Sequence, residues 1–233
     1  MLKLPVKIKS DSEWSDIFSN AKYGHTLWDG WANDPHNPIH AIKSSRQFVQ
    51  HAQQYGFFKK GNKILDIGCG NGRFGIVFAD MYVSYLGIDP VKNCIDFCEY
   101  AFKDYKHLKF KFEDIYNECF NPSGKIKPED YKIDLPDNSV DDIIVYSIFT
   151  HLQNEETAQN YMKEIKRVLK IGGKLFCSWY RSPPNKMNDP FVGRTVYNEW
   201  FIMSIMNGFK FDFTYGGHTD AYYDQWAMFC TKL

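Results

Sequence analysis

The segment Lys63-Ile-Leu-Asp-Ile-Gly-Cys-Gly-Asn-Gly72 constrains the chain more than any other. Residues 63–67 form a nearly continuous apolar run, which reads as a buried strand. Glycines at 68, 70 and 72 then let the backbone turn sharply and offer main-chain N–H groups to a close ligand. Arg73–Tyr82 follows with a helical period. A strand that turns through glycines into a helix opens a parallel α/β sheet, whose ligands lie beyond the carboxyl ends of the strands.

The rest of the chain keeps this rhythm. Ser84–Ile88 reads as the second strand, and Asp89-Pro90 opens a helix with Pro90 at its first position, where a missing N–H costs nothing. Leu108–Phe112 and Val140–Ser147 are the third and fourth strands. Glu155–Leu169 is an amphipathic helix ended by Gly172-Gly173, and Lys174–Tyr180 is the fifth strand. Pro190–Asn207 has helical spacing. Phe209–Tyr215 and Gln225–Thr231 are two late strands joined by Gly216–Asp224, too short for a parallel crossover, so they form an antiparallel hairpin. Upstream, Pro38 to about Phe57 reads as a helix.

The expected fold is therefore α/β and Rossmann-like: a mostly parallel sheet with an antiparallel last strand and helices on both faces. The expectation is one domain over residues 1–233, with 38–233 as core and 1–37 as an N-terminal arm or lid. Trp14, Tyr23, Trp28, Trp31 and His36 stand there amid turn formers, and Asp34-Pro35 and Asn37-Pro38 break any helix. Two stretches interrupt the alternation. Ile115–Leu135 is a long loop, of a length that often carries function, and Arg181–Asp189 is a second.

Lys+Arg and Asp+Glu each number 28, so no net field draws the chain to a nucleic-acid backbone, and no nucleic-acid partner is expected. No stretch has the length of a membrane span, and the N-terminus has no apolar signal region. The six cysteines are scattered, the pattern of reduced thiols in a cytoplasmic protein. Cys94 and Cys98 share a helix face, but no His or further Cys pair completes a zinc site, so they read as core and no metal is expected.

Chemistry gathers at the strand ends. Asp66 precedes the glycines, Asp89 ends the second strand and Asp114 follows the third, which describes a crevice for a nucleoside. Gly70-Asn-Gly-Arg-Phe-Gly75 also matches the dinucleotide pattern G-x-G-x-x-G. Asp66 would set a negative charge beside a pyrophosphate, yet it suits a ligand carrying an ammonium and a sulfonium.

On these residues the chain resembles the class I S-adenosylmethionine methyltransferases, over roughly residues 38–181. Ile64–Gly75 resembles their first motif, Leu86-Gly-Ile-Asp-Pro90 the acidic second, and Phe112-Glu-Asp-Ile115 the adenine-side motif. Leu135-Pro-Asp-Asn-Ser-Val-Asp141 and Arg167-Val-Leu-Lys-Ile-Gly-Gly173 resemble later ones. The resemblance implies a seven-stranded sheet with its last strand antiparallel, and S-adenosylmethionine as cofactor. It implies that Asp66, Gly68, Cys69, Gly70 and Gly72 hold the methionyl part. Asp89 and Pro90 lie by the ribose, Asp114 and Ile115 by the adenine, and Ser147 on the same rim. Tyr116–Ile126 followed by Ser147-Ile-Phe-Thr-His-Leu152 is similar to bacterial methyltransferases associated with glycan and polysaccharide assembly. Those end in an aromatic-Gln-Asp signature, where this chain has Tyr223-Asp-Gln-Trp226.

A sugar hydroxyl is a poor nucleophile and needs a general base. His151, just past the fourth strand, is the candidate; the alternative is an imidazole that braces the loop. Trp28, Trp31, His218 and Tyr222 are candidates to contact the acceptor, and His25 and His36 sit in the arm. Ser182-Pro-Pro-Asn185 follows the wrong strand for the motif of nucleobase-methylating enzymes. The function expected is O-methylation of a sugar, glycan or other small-molecule hydroxyl. The alternatives are N-methylation of a small amine or protein, a cofactor-binding member without catalysis, and, more remotely, a nucleotide-dependent oxidoreductase.

Overall fold

The computed structural model describes residues 8–19, 38–182, 189–191, 194–218 and 224–233, with backbone alone at 181–182, 189–191, 194, 215–218 and 224–225. The chain divides into two compact units at Glu113/Asp114.

The first unit contains α1 (Asp11–Ser19), α2 (Pro38–Gln54), β1 (Lys63–Ile67), α3 (Arg73–Phe78), β2 (Ser84–Asp89), α4 (Lys92–Ala101) and β3 (Leu108–Phe112). Its strands lie in the order β3-β2-β1, all parallel, with Ile67 beside Ile88 and Asp89 beside Phe112. The glycine turn and Asp89 therefore share one rim. Helix α1 was not expected, although its signal is present in Ser10-Asp-Ser-Glu13. The Glu13 N–H donates to Ser10 Oγ (3.2 Å) and the Ser10 N–H to Glu13 Oε2 (2.8 Å), a reciprocal capping box. Trp14 is fully buried, its ring centroid 5.1 Å from that of Phe102 and 5.6 Å from that of Tyr105. Arg46 of α2 pairs with Asp11 (2.9 Å) and Asp80 (3.5 Å), joining α1 to the turn after α3. The aromatic residues at 14 and 18 are thus core. The remainder of the expected arm, including His25, Trp28, Trp31 and His36, lies outside the described residues.

Pro90 does not open α4. The helix starts at Lys92 with Val91 as its extended cap, because Asp89 Oδ1 accepts the Val91 N–H (2.8 Å) and holds that residue out of the helix. Cys94 and Cys98 are buried, as expected of core thiols.

The second unit contains β4 (Val140–Val145), α5 (Glu155–Val168), β5 (Leu169–Ser182), β6 (Asp189–Phe191), β7 (Arg194–Asn198), α6 (Glu199–Ile205), β8 (Phe209–His218) and β9 (Asp224–Lys232). β5 runs parallel to β4 and antiparallel to β9, and β8 pairs antiparallel with β9, so the expected hairpin is present. Lys174 of β5 donates to Asp212 of β8 and Thr231 of β9, both at 2.8 Å, which pins the hairpin across three strands. The expected helix Pro190–Asn207 is not formed. β6 and β7 pair there, and β7 runs parallel to Tyr180–Ser182. Thr195, Val196 and Tyr197 are buried, and branched and aromatic side chains packed on a sheet override helical spacing. Helix α6 begins only at Glu199, capped by Asn198, whose Oδ1 accepts the Trp200 N–H (2.8 Å). Nine strands stand among the described residues where seven were expected, the added ones being β6 and β7. The class agrees with expectation: mostly parallel α/β with antiparallel C-terminal strands.

The later half of the long loop is bound to α5. Asn160 Nδ2 donates to the carbonyls of Pro128 and Tyr131, both at 2.9 Å. Arg167 donates to Glu164 (2.7 Å), Asp137 (2.8 Å) and the carbonyls of Ile133 (2.7 Å) and Leu135 (2.8 Å). One guanidinium thereby joins the two later motifs. No helix among the described residues is long and apolar enough to cross a membrane.

Candidate active site

In the first unit the glycines at 68, 70 and 72 all have positive φ (75°, 54° and 77°), which no other residue adopts without strain. At Gly72 a Cβ would also meet the Phe102 ring at 2.8 Å and Cys98 Sγ at 2.9 Å. At Gly70 it would meet nothing within 4 Å, so that side of the turn is open.

The N–H groups of the turn are not open in the way its glycines suggest. Those of Gly68 and Cys69 donate to the Ile88 carbonyl (2.8 and 3.1 Å), and that of Gly72 to the Cys69 carbonyl (2.9 Å). The Gly70 N–H donates to Asp89 Oδ2 (2.8 Å). A pyrophosphate needs such donors, so this turn fits a dinucleotide poorly despite its literal pattern. Cys69 shapes the turn, with its side chain buried and its Sγ 2.8 Å from where a Cβ on Gly87 would lie.

Asp66 is buried under the turn and accepts the Tyr85 hydroxyl at Oδ2 (2.6 Å). Burial pushes its carboxyl up to about 7, against the opposing pull of Tyr85 and of the Arg73 charge. Burial also pushes Asp89 up to about 6, despite the N–H groups of Val91 and Gly70. Asn71 Oδ1 is buried with no hydrogen-bond partner among the described residues. Two buried carboxylates, an orphaned acceptor and an open glycine face ask for a ligand bearing positive charge and hydroxyl donors. S-adenosylmethionine carries both.

Asp66 also gives a prediction about pH. Its folded pKa lies above the unfolded value of 3.8, so the folded state binds the proton more tightly, and stability falls as pH rises from about 4 to about 7. Asp66→Asn removes that loss. The stability difference between the ligand-free variant and wild type should move in the variant's favour by about 4 kcal/mol from pH 4 to above pH 7, on top of any constant offset from the substitution itself. Urea midpoints across this range, with equal differences at pH 4 and 8, would refute it.

In the second unit Asp114 and Ile115 begin a loop closed on itself. The N–H groups of Lys125 and Ile126 donate to the Asp114 carbonyl, both at 2.9 Å, and that of Tyr116 to the Ile126 carbonyl (2.8 Å). A Cβ at Gly124 would lie 2.5 Å from the Ile115 carbonyl, so only glycine permits this approach. Beyond β4, Ser147 holds a positive φ (59°), unusual for a residue with a side chain. Its N–H donates to Ser178 Oγ (2.7 Å), and its carbonyl accepts Thr150 Oγ1 (2.6 Å). His151 ends the short 3₁₀ turn Phe149–His151, its ring edge-on to Phe120 at 5.1 Å. Phe149 stacks on Trp179 at 3.7 Å, and the Tyr197 hydroxyl donates to the Leu152 carbonyl (3.0 Å). Ser147 is thus held in a strained conformation by Ser178 and Thr150.

Asp66, Gly68, Cys69, Gly70, Gly72, Asp89 and Pro90 lie in the first unit, where Gly70 and Asp89 are hydrogen-bonded, and Asp114, Ile115, Ser147 and His151 lie in the second. His218 is described by its backbone alone, paired with Asp224. Trp28, Trp31 and Tyr222 lie outside the described residues. Sequence reading missed Tyr85, Asn71, Ser178, Asn117 and Asn121. Tyr85 looks like any strand aromatic, and only parallel pairing of β1 and β2 sets it by Asp66.

Residues 65–177 match the family model described as a methyltransferase domain. An uncharacterized methyltransferase of Schizosaccharomyces pombe is 33% identical over 124 residues, 52% of this chain and 41% of that protein. Phosphoethanolamine N-methyltransferase of Triticum aestivum is 27% identical over 153 residues, 65% of this chain and 26% of that protein. The chain therefore spans less than half the length of these curated relatives. Among solved structures, 1,6-didemethyltoxoflavin-N1-methyltransferase of Burkholderia thailandensis, with S-adenosylhomocysteine bound, has the same fold. Its TM-score is 0.60 at 15% identity, covering 98% of this chain and 93% of that one. Over residues 65–177 the chain is thus similar to methyltransferase domains, and its fold is that of S-adenosylmethionine-dependent methyltransferases of known structure.

Proposed function

We propose that the chain transfers the methyl group of S-adenosylmethionine to a hydroxyl of a small molecule of sugar or glycan type, with His151 as general base. The observation that carries this reading is His151 itself, held on its 3₁₀ turn by the edge of Phe120, four residues after the strained Ser147. When bound, the cofactor supplies an electrophilic sulfonium methyl. Asp66 would offer buried negative charge to its methionyl ammonium and sulfonium, Asp89 would accept from the ribose hydroxyls, and Asp114 and Ile115 would hold the adenine. His151 takes the hydroxyl proton as the acceptor oxygen attacks, and Ser147 shapes the turn that carries it. This reading keeps Trp28, Trp31, His218 and Tyr222 as acceptor contacts. The even charge balance supports a small acceptor rather than a nucleic acid.

A second reading has a specific support: one relative is a phosphoethanolamine N-methyltransferase. A free amine is already nucleophilic and needs no base to activate it. A methyl-transfer screen over sugars, nucleotide sugars, phenols and small amines, read by product mass, separates the two. Methylated amines with no methylated hydroxyl would overturn the first.

Asp89→Ala tests the cofactor assignment. Loss of a charged hydrogen bond is worth about 1.5–3 kcal/mol, so calorimetric affinity for S-adenosylhomocysteine should fall by about tenfold to a hundredfold. An unchanged affinity would show that the ribose lies elsewhere.

A further inference from the structure

The first half of the long loop differs from the second in what it is bound to. Residues 128–135 are held by α5, as described. Residues 115–126 are held at one end by Asp114–Ile115 and at the other by His151. Asn121 Nδ2 donates to Asp114 Oδ1 (3.3 Å) and to the Ile115 carbonyl (3.0 Å). Asn121 and Asn117 exchange both backbone hydrogen bonds (3.1 and 2.9 Å). Asn117 Oδ1 accepts the N–H groups of Cys119 (3.0 Å) and Phe120 (3.1 Å), and its Nδ2 donates to the His151 carbonyl (3.2 Å). These partners fix which end of the amide is which, since two donors face one atom and a carbonyl faces the other. The same turn sets the Phe120 ring against the His151 ring at 88°. Asn117 therefore touches the backbone of His151 directly and its imidazole through Phe120.

We propose that Asn117 is a positioning residue that couples Asp114–Ile115, at the start of the loop, to His151, so that filling of the cofactor site sets the placement of the base. This rests on the cofactor and base assignments above. The coupling runs through a contiguous set of hydrogen bonds in a loop closed by Gly124, the kind of physical connection that transmits a shift between sites. Its consequence is an order of events: the base is correctly placed only once the cofactor is bound.

The amide nitrogen of Leu152 belongs to the peptide bond whose carbonyl Asn117 grips, so its 15N resonance reports that grip. In the wild-type chain, S-adenosylhomocysteine should shift the Leu152 15N resonance. Asn117→Asp keeps the acceptor for Cys119 and Phe120 but removes the donor to His151. It should bind S-adenosylhomocysteine with wild-type affinity and lose the Leu152 shift. Asn121→Ala cuts the other end of the connection and should lose the shift too, and it carries the test if Asn117→Asp does not fold. Binding without any shift at Leu152 in wild type overturns the proposal, as does a shift that survives in either folded variant. Absence of binding would remove the cofactor reading and the proposal together. Intact turnover in a His151 variant would remove the base reading and with it the placement of a base, and the Leu152 signal, which does not depend on turnover, would then report only whether the two ends of the loop are coupled.

Discussion

Replacing His151 by Gln is expected to slow methyl transfer to a hydroxyl acceptor by about 10²–10⁴-fold, the usual contribution of a general base. The calorimetric affinity for S-adenosylhomocysteine should stay in the wild-type range. Gln keeps the hydrogen-bonding capacity and much of the volume, so its ring contact with Phe120 is the main packing change. The loss should fall on kcat, because proton removal belongs to the transition state rather than to binding. It should also shrink as pH rises, since hydroxide in solution begins to replace the missing base. With an amine acceptor the same variant should lose far less, because the free amine brings its own lone pair. A His151→Gln enzyme with wild-type kcat on a hydroxyl acceptor at every pH would reduce His151 to a brace.

The largest stability effect is expected at Arg167. Arg167→Ala should destabilise the chain by about 3 kcal/mol in urea unfolding, toward the lower end of values for breaking a buried ion pair. The lower end applies because the Arg167 side chain is 18% exposed, whereas Glu164 is 7% exposed. The variant leaves the Glu164 carboxylate buried with the Ile133 N–H (2.9 Å) and releases the carbonyls of Ile133 and Leu135. The effect has a sign in pH. Burial raises the Glu164 carboxyl, but the hydrogen bonds from Arg167 and Ile133 and the Arg167 charge outweigh it and hold it below its usual 4.5. A lowered carboxyl contributes stability that is present above the unfolded pKa and lost as pH falls through the folded one. Wild type should therefore lose this advantage in acid. In the variant the same carboxyl is raised by burial, so its stability improves as pH falls. The gap between the two should narrow below about pH 4.5, and a constant gap from pH 7 to pH 3 would refute the account.

Much of this was legible in the sequence, and for identifiable reasons. β1, β2 and β3 stand within a residue of their expected bounds, because buried parallel strands are short apolar runs between turn formers. The antiparallel pairing of β8 and β9 followed from a connection too short to cross over. Cys94 and Cys98 were legible as core from their spacing. The failures share a cause. The 190–198 stretch has helical spacing, yet β5 extends far enough to pair with it, and sequence spacing says nothing about a neighbouring strand. Pro90 suits a first helical position, yet the Asp89 carboxylate captures the next N–H. Helix α1 carried a local signal in Ser10 and Glu13, hidden among aromatics that suggested an irregular arm.

At the segment Lys63–Gly72, residue types alone dictate a strand that passes through a glycine turn into a helix, with Asp66 just before the glycines. Residue type and spacing suffice for that, since only glycine takes three positive φ angles in five residues. The partners of its N–H groups come from the tertiary fold: those of Gly68, Cys69, Gly70 and Gly72 go to the Ile88 and Cys69 carbonyls and to Asp89, with an open face at Gly70 and Asp66 and Asp89 buried. Hydrogen-bond partners come from neighbouring strands and loops, and burial comes from everything packed around. Neither is a property of the segment alone. The same holds for His151, whose hold by Asn117 and Phe120 depends on a loop 34 residues earlier in the chain.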